Sequence, residues 1–126
     1  MTRTEFLLKV QEQLGFADMI EAETATRSVL AALASRLTPE EVDDLANQLP
    51  SEFGDFIRGR GGEMRGVDAE AFVGRIQSDL DIATSQQAMN VTRGVFSVIK
   101  QAVSESEWQE VASQLPTELQ DLFVRA

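Results

Sequence analysis

The stretch Thr38-Pro39-Glu40-Glu41-Val42, followed after a short gap by Gln48-Leu49-Pro50-Ser51-Glu52-Phe53, decides the fold. Thr38 offers a side-chain oxygen to the orphan N–H groups of a helix start, and Glu41, three residues on, can reach back to the Thr38 N–H. Pro39 suits the first helical position, because its fixed φ is already helical and its missing N–H is not needed there. Val42, Leu45 and Ala46 share one face of the helix that follows, which is expected to run from Pro39 to about Asn47. The residue before a proline is pushed out of the helical region, so Leu49-Pro50 ends that helix. A short one starts at Pro50, with Phe53, Phe56 and Ile57 inward.

The same signals recur 66 residues later. Ser104-Glu105-Ser106-Glu107 stands where Thr38 to Glu41 stood, and Gln114-Leu115-Pro116 repeats Gln48-Leu49-Pro50. The register holds without a gap from Phe6 on Phe72 to Arg58 on Val124. Its identities include Gln11/Gln77, Leu14/Leu80, Ala22/Ala88, Thr26/Thr92, Arg27/Arg93, Val29/Val95, Glu52/Glu118 and Asp55/Asp121. Like replaces like at Val10/Ile76, Leu33/Ile99, Leu37/Val103, Phe53/Leu119 and Phe56/Leu122. An ungapped self-match of this length is the signature of an internal repeat.

Working outward, Thr2 with Glu5, Asp18 with Glu21, and Thr84 with Gln87 mark further helix starts, and Asp68 opens the counterpart of the first. The first helix is expected from Thr4 to Leu14, with Gly15 ending it in a left-handed conformation and Phe16 packing back. The second, from Met19 to Leu37, turns Ala22, Ala25, Val29, Leu33 and Leu37 inward. The expected fold class is all-α: two tandem four-helix repeats, residues 1–57 and 67–126, packed as a pseudo-twofold helical bundle. Between them residues 58–66 hold four glycines and three arginines and read as a flexible linker. No Gly-Lys-Ser/Thr follows those glycines, so they are not a phosphate loop.

The pattern Phe6-x-x-x-Val10, Ala22 to Arg27-x-Val29-Leu30, Leu37-Thr38-Pro39-Glu40-Glu41 and Leu45-x-x-Gln48-Leu49-Pro50-x-Glu52-Phe53 resembles a family of internally duplicated helical proteins, domain of unknown function 2267. The resemblance covers nearly the whole chain, and the doubled Gln-Leu-Pro turn is its most specific element. It implies an all-α fold and a bacterial source, and it brings no catalytic residues. The second repeat departs from the pattern: no proline follows Ser104, and Trp108 stands where Val42 does.

Composition narrows the chemistry. The chain has no Cys and no His, which removes thiolates, disulfides and the commonest general base and transition-metal ligand. Its formal net charge of −10 opposes nucleic acid and anionic lipid. No apolar run approaches the roughly 20 residues of a membrane span, and no signal-peptide core opens the chain, so a cytoplasmic protein is expected. Glu40, Glu41, Asp43 and Asp44 fall at one helix start, where the dipole favours negative charge, rather than converging as metal ligands. Asp79-Leu80-Asp81 begins like a calcium loop but lacks its glycine and closing glutamate. No catalytic residue, cofactor or metal is expected.

Recurrence of Arg27 with Asp55, and of Arg93 with Asp121, suggests structural ion pairs that tether each short helix to the long one. Gln48 and Gln114 would satisfy carbonyls at a helix end. Trp108, the sole tryptophan, is either core, as Val42 is expected to be, or a partner contact. A non-enzymatic protein-interaction or regulatory module, which could self-associate, is the expected function. The alternative is a carrier of a small hydrophobic ligand held between the repeats.

Overall fold

The computed structural model describes residues 1–63 and 68–125, with side-chain surroundings up to residue 121. Among these residues there are eight helices: α1 (Arg3–Leu14), α2 (Met19–Arg36), α3 (Pro39–Gln48), α4 (Ser51–Ile57), α5 (Ala69–Leu80), α6 (Ser85–Ala102), α7 (Glu105–Ser113) and α8 (Thr117–Arg125). Among the described residues there is no strand, and the helices pack as a bundle. Each of α5 to α8 starts 66 residues after its counterpart in α1 to α4. Among the described residues no helix is long and apolar enough to cross a membrane.

The helix starts lie within a residue of those expected, because their signals are local. Thr2/Glu5, Thr38/Glu41 and Thr84/Gln87 close full capping boxes. Asp18 and Asp68 cap α2 and α5 by accepting from the backbone N–H three residues on. Gly15 ends α1 at φ 68°, and the Phe16 N–H returns to the Gln11 carbonyl. Asp81 ends α5 the same way at φ 51°, with the Ile82 N–H on the Gln77 carbonyl. Aspartate is among the few side chains that tolerate this left-handed region, so the stop survives without glycine.

The halves interlock reciprocally: α1 packs on α6, α2 on α5, α2 on α6, and α3 meets α7. Central placement explains α2, in which every residue from Ser28 to Ser35 is buried. A helix touched from all sides must be small and apolar all round, and Ser28-Val-Leu-Ala-Ala-Leu-Ala-Ser35 is that. In the first half, Phe6 meets Phe53 at 5.2 Å between ring centres. In the second, Leu119 replaces Phe53, and the aromatic volume moves to Phe96 and Trp108. Phe96 contacts Phe72 at 6.4 Å and Trp108 edge-on at 6.2 Å and 79°. Burying each such side chain contributes about 1.5–3 kcal/mol.

The segment after α4 differs from expectation. Residues 58–63 are folded onto the first half: the Gly62 N–H donates to the Leu37 carbonyl at 2.7 Å. Gly61 lies so close to the start of α3 that a Cβ on it would be 2.9 Å from Pro39 Cα. The glycines here serve close backbone approach, not only flexibility. The rest of the expected linker, residues 64–66, lies outside the described residues.

Candidate functional site

A groove of about 790 Å³ is lined by Lys100 and Val103 of the α6 end, Glu105, Trp108 and Ala112 of α7, and Gln120 of α8. Its origin lies in one pair of equivalent positions. In the first half Gly54 lets α4 sit directly on α3, since a Cβ there would be 2.5 Å from the Ala46 carbonyl oxygen. In the second half Gln120 occupies the Gly54 position and carries a Cβ, so α8 cannot approach α7 as closely. The matching surface of the first half, at Leu37, Pro39 and Asn47, is covered by residues 58–62. There Arg58 donates to Asn47 Oδ1 at 2.9 Å and stands 3.6 Å from Asp43.

Trp108 is therefore mainly core. It is only 6% exposed, held by Phe96, and does not project as a free partner contact. What it offers outward is a small part of its surface in the groove wall. The aromatic exchange with Val42 was visible in the sequence; the groove needed the helix spacing.

The anticipated ion pairs form differently. Arg27 stands 3.5 Å from Glu23 on its own helix and lies over the Phe56 ring at 4.8 Å. It reaches the short helix α4 through that ring and not through Asp55, which stands 3.9 Å from Arg58. Arg60 covers the other approach to Phe56 at 4.3 Å and donates to the Phe56 carbonyl. Arg3 also pairs with Glu23, holding its carboxyl below the usual range. At Arg93 the matching neighbours are Met89 and Leu122 in sequence, so neither the charge nor the ring recurs. Its Nε is buried with no hydrogen-bond partner among the described residues. Asp121 is exposed.

Gln48 also differs from expectation. Its Oε1 accepts the Ser104 N–H at 2.6 Å, joining the end of α3 to the start of α7 across the two halves. This changes what Glu107 can do. The equivalent Glu41 closes its capping box by accepting the Thr38 N–H at 3.0 Å. For Glu107 that N–H is already taken, although Ser104 still caps by accepting the Glu107 N–H.

Glu107 is buried, and one carboxylate oxygen each from Glu107, Asp44 and Glu110 lie within 4.8 Å of one another. Burial, then repulsion from Glu110 and Asp44, a hydrogen bond with Glu110 and repulsion from Glu41, push the Glu107 carboxyl up to about 7. Like charges this close in a low-dielectric seam favour retention of a proton. Proton sharing is thus the chemistry this cluster supports. No sequence spacing signals it, since it joins residues more than sixty positions apart.

A second, smaller groove of about 350 Å³ opens between the halves, lined by Phe16, Ile20, Leu80, Ile82 and Val91 with Glu21 at its edge. Ile20 is 75% exposed there.

These features define a class: an all-α helical bundle with a groove at one end, an apolar cleft between its halves and an acidic seam. The chain belongs to the family described as "Uncharacterized conserved protein (DUF2267)", whose profile matches residues 3–122. No curated protein matches it.

Proposed function

We propose that the protein is a non-enzymatic interaction module that receives a glycine-containing basic segment of a partner protein in the α6–α7–α8 groove. One observation carries the reading: the equivalent surface of the first half is already covered by such a segment, Arg58-Gly59-Arg60-Gly61-Gly62, held by a backbone hydrogen bond to Leu37. Val103 occupies the Leu37 position beside the open groove. Trp108, Ala112 and the amides of Gln109 and Gln120 provide apolar and hydrogen-bonding wall for a main chain. The net charge of −10 favours a basic segment and opposes association with a second copy.

The only tryptophan reports on this groove directly. A synthetic peptide carrying the sequence of residues 56–63 is titrated against the whole protein while Trp108 emission is followed. A saturable spectral change, abolished by Ala112→Phe in a folded variant, is expected. No saturable change up to millimolar peptide would defeat the reading.

A second reading, a carrier of a small hydrophobic ligand, is favoured by the inter-half cleft and by exposed Ile20. Its size falls at the lower end of ligand pockets, about 300–1,000 Å³. Native mass spectrometry of protein purified gently from its own host distinguishes the two: a small extra mass lost on denaturation supports the carrier, and bare protein removes it.

A further inference from the structure

The contact between α3 and α7 brings a helix against its own counterpart in the 66-residue register. Any such self-complementary contact sets equivalent residues opposite one another. Here the equivalent pairs are Glu41 with Glu107 and Asp44 with Glu110, all acidic, so an acidic face meets an acidic face. Fully ionised, the four would repel across the seam that joins the halves. Two features relieve this on one side only. Glu41 is engaged by the Thr38 N–H, whereas Gln48 has taken the N–H that Glu107 would use. Glu107 is left buried among carboxylates, only 6% exposed.

We propose that the α3–α7 contact is a proton-operated latch between the two halves: Glu107 with its proton lets α7 lie on α3, and loss of that proton loosens α7. The charged groups that act most strongly on Glu107 are all acidic. Glu41 and Asp44 face it from α3 and Glu110 from its own helix. α8, which also packs on α7, carries Glu118 and Asp121 among its described charged residues, and Glu118 lines a different groove with Asp68 and Glu70 of the α5 start. Lys100 lines the groove with Trp108 and Glu105, and Arg58 lies with Asp43 and Asn47.

The sign follows from linkage. When α7 is released Glu107 is an ordinary carboxyl near 4.5, and in the closed seam it keeps its proton to about 7. Between those values the closed seam binds more protons than the open one, so closure weakens as pH rises and levels off above neutrality. Acidification closes the latch.

The test is amide hydrogen exchange of the whole protein at pH 5.5, 7 and 8.5, corrected for intrinsic exchange, for the natural chain and Glu107→Gln. Opening of α7 (Glu105–Ser113) is expected to increase about ten-fold or more from pH 5.5 to 8.5 in the natural chain. It should be pH-independent in Glu107→Gln, while α1 changes in neither. Equal pH dependence in both proteins would overturn the proposal. If Glu107→Gln does not fold, carboxyl NMR titration of the natural chain and of Asp44→Asn decides. A Glu107 midpoint near neutrality that moves to lower pH in Asp44→Asn supports the latch; a midpoint between about 4 and 5 in the natural chain overturns it.

Discussion

The Ala46 carbonyl oxygen lies 2.5 Å from where a Cβ on Gly54 would stand, so α4 rests directly on the backbone of α3 at this pair. In an exposed helix, replacing glycine by alanine stabilises by about 1 kcal/mol. At Gly54 the added methyl meets backbone, which cannot rotate away. Gly54→Ala is expected to destabilise by about 1–3 kcal/mol. Urea unfolding reads the sign directly, and a stabilised variant would show that α4 does not pack this tightly.

Gly94 of α6 receives Leu14 of α1 across the halves, where an added Cβ would meet Leu14 Cγ at 2.6 Å. Gly94→Ala should therefore weaken the union of the halves, and Leu14→Ala should remove much of that penalty. A double-mutant cycle is expected to give a coupling of about 0.5–3 kcal/mol. Additive effects would place the two residues out of contact.

Phe56 carries two guanidinium groups, Arg27 at 4.8 Å and Arg60 at 4.3 Å. Phe56→Leu gives the first half the residue the second has at the matching position. Each partly exposed cation–ring contact contributes about 0.5–1 kcal/mol, so a total loss of about 1–2 kcal/mol is expected. Arg27→Ala in the Phe56→Leu background should then cost less than in the natural chain, as thermal unfolding of the four proteins would reveal.

Glu23 responds to acid in the opposite sense from Glu107. Arg3, aided by Arg27, lowers its carboxyl in the folded chain, so its contribution is present above the ordinary carboxyl range and is lost as pH falls through the depressed value. Because the pair is partly exposed and screened, the loss is small, under about 1 kcal/mol. Glu23→Gln should be less stable than the natural chain at pH 7 and equal to it near pH 2. A constant difference across that range would contradict the ion pair.

Much of the fold was legible because its signals act within four residues along the chain. Thr38 with Glu41, Thr84 with Gln87, and the Leu49-Pro50 break specify where helices begin and end without any distant contact. The candidate site was less legible. Trp108 stood out as an asymmetry with Val42, but burial at the Phe96 edge comes from packing. The Arg27 and Asp55 recurrence suggested a mutual pair, and the presence of Phe56 beneath Arg27 redirected it. Composition alone could not foresee that residues 58–63 would lie on the first half.

The sequence by itself determined the helices, their caps and the inward faces, since each follows from local hydrogen bonding and the helical period. Tertiary structure alone decided three things: that Gln48 takes the Ser104 N–H, that Glu107 is buried against Asp44 and Glu110, and that α7 and α8 leave a groove open. Each depends on the separation and facing of two packed helices. That spacing is set by the summed volumes of side chains far apart in the chain, which no local pattern encodes.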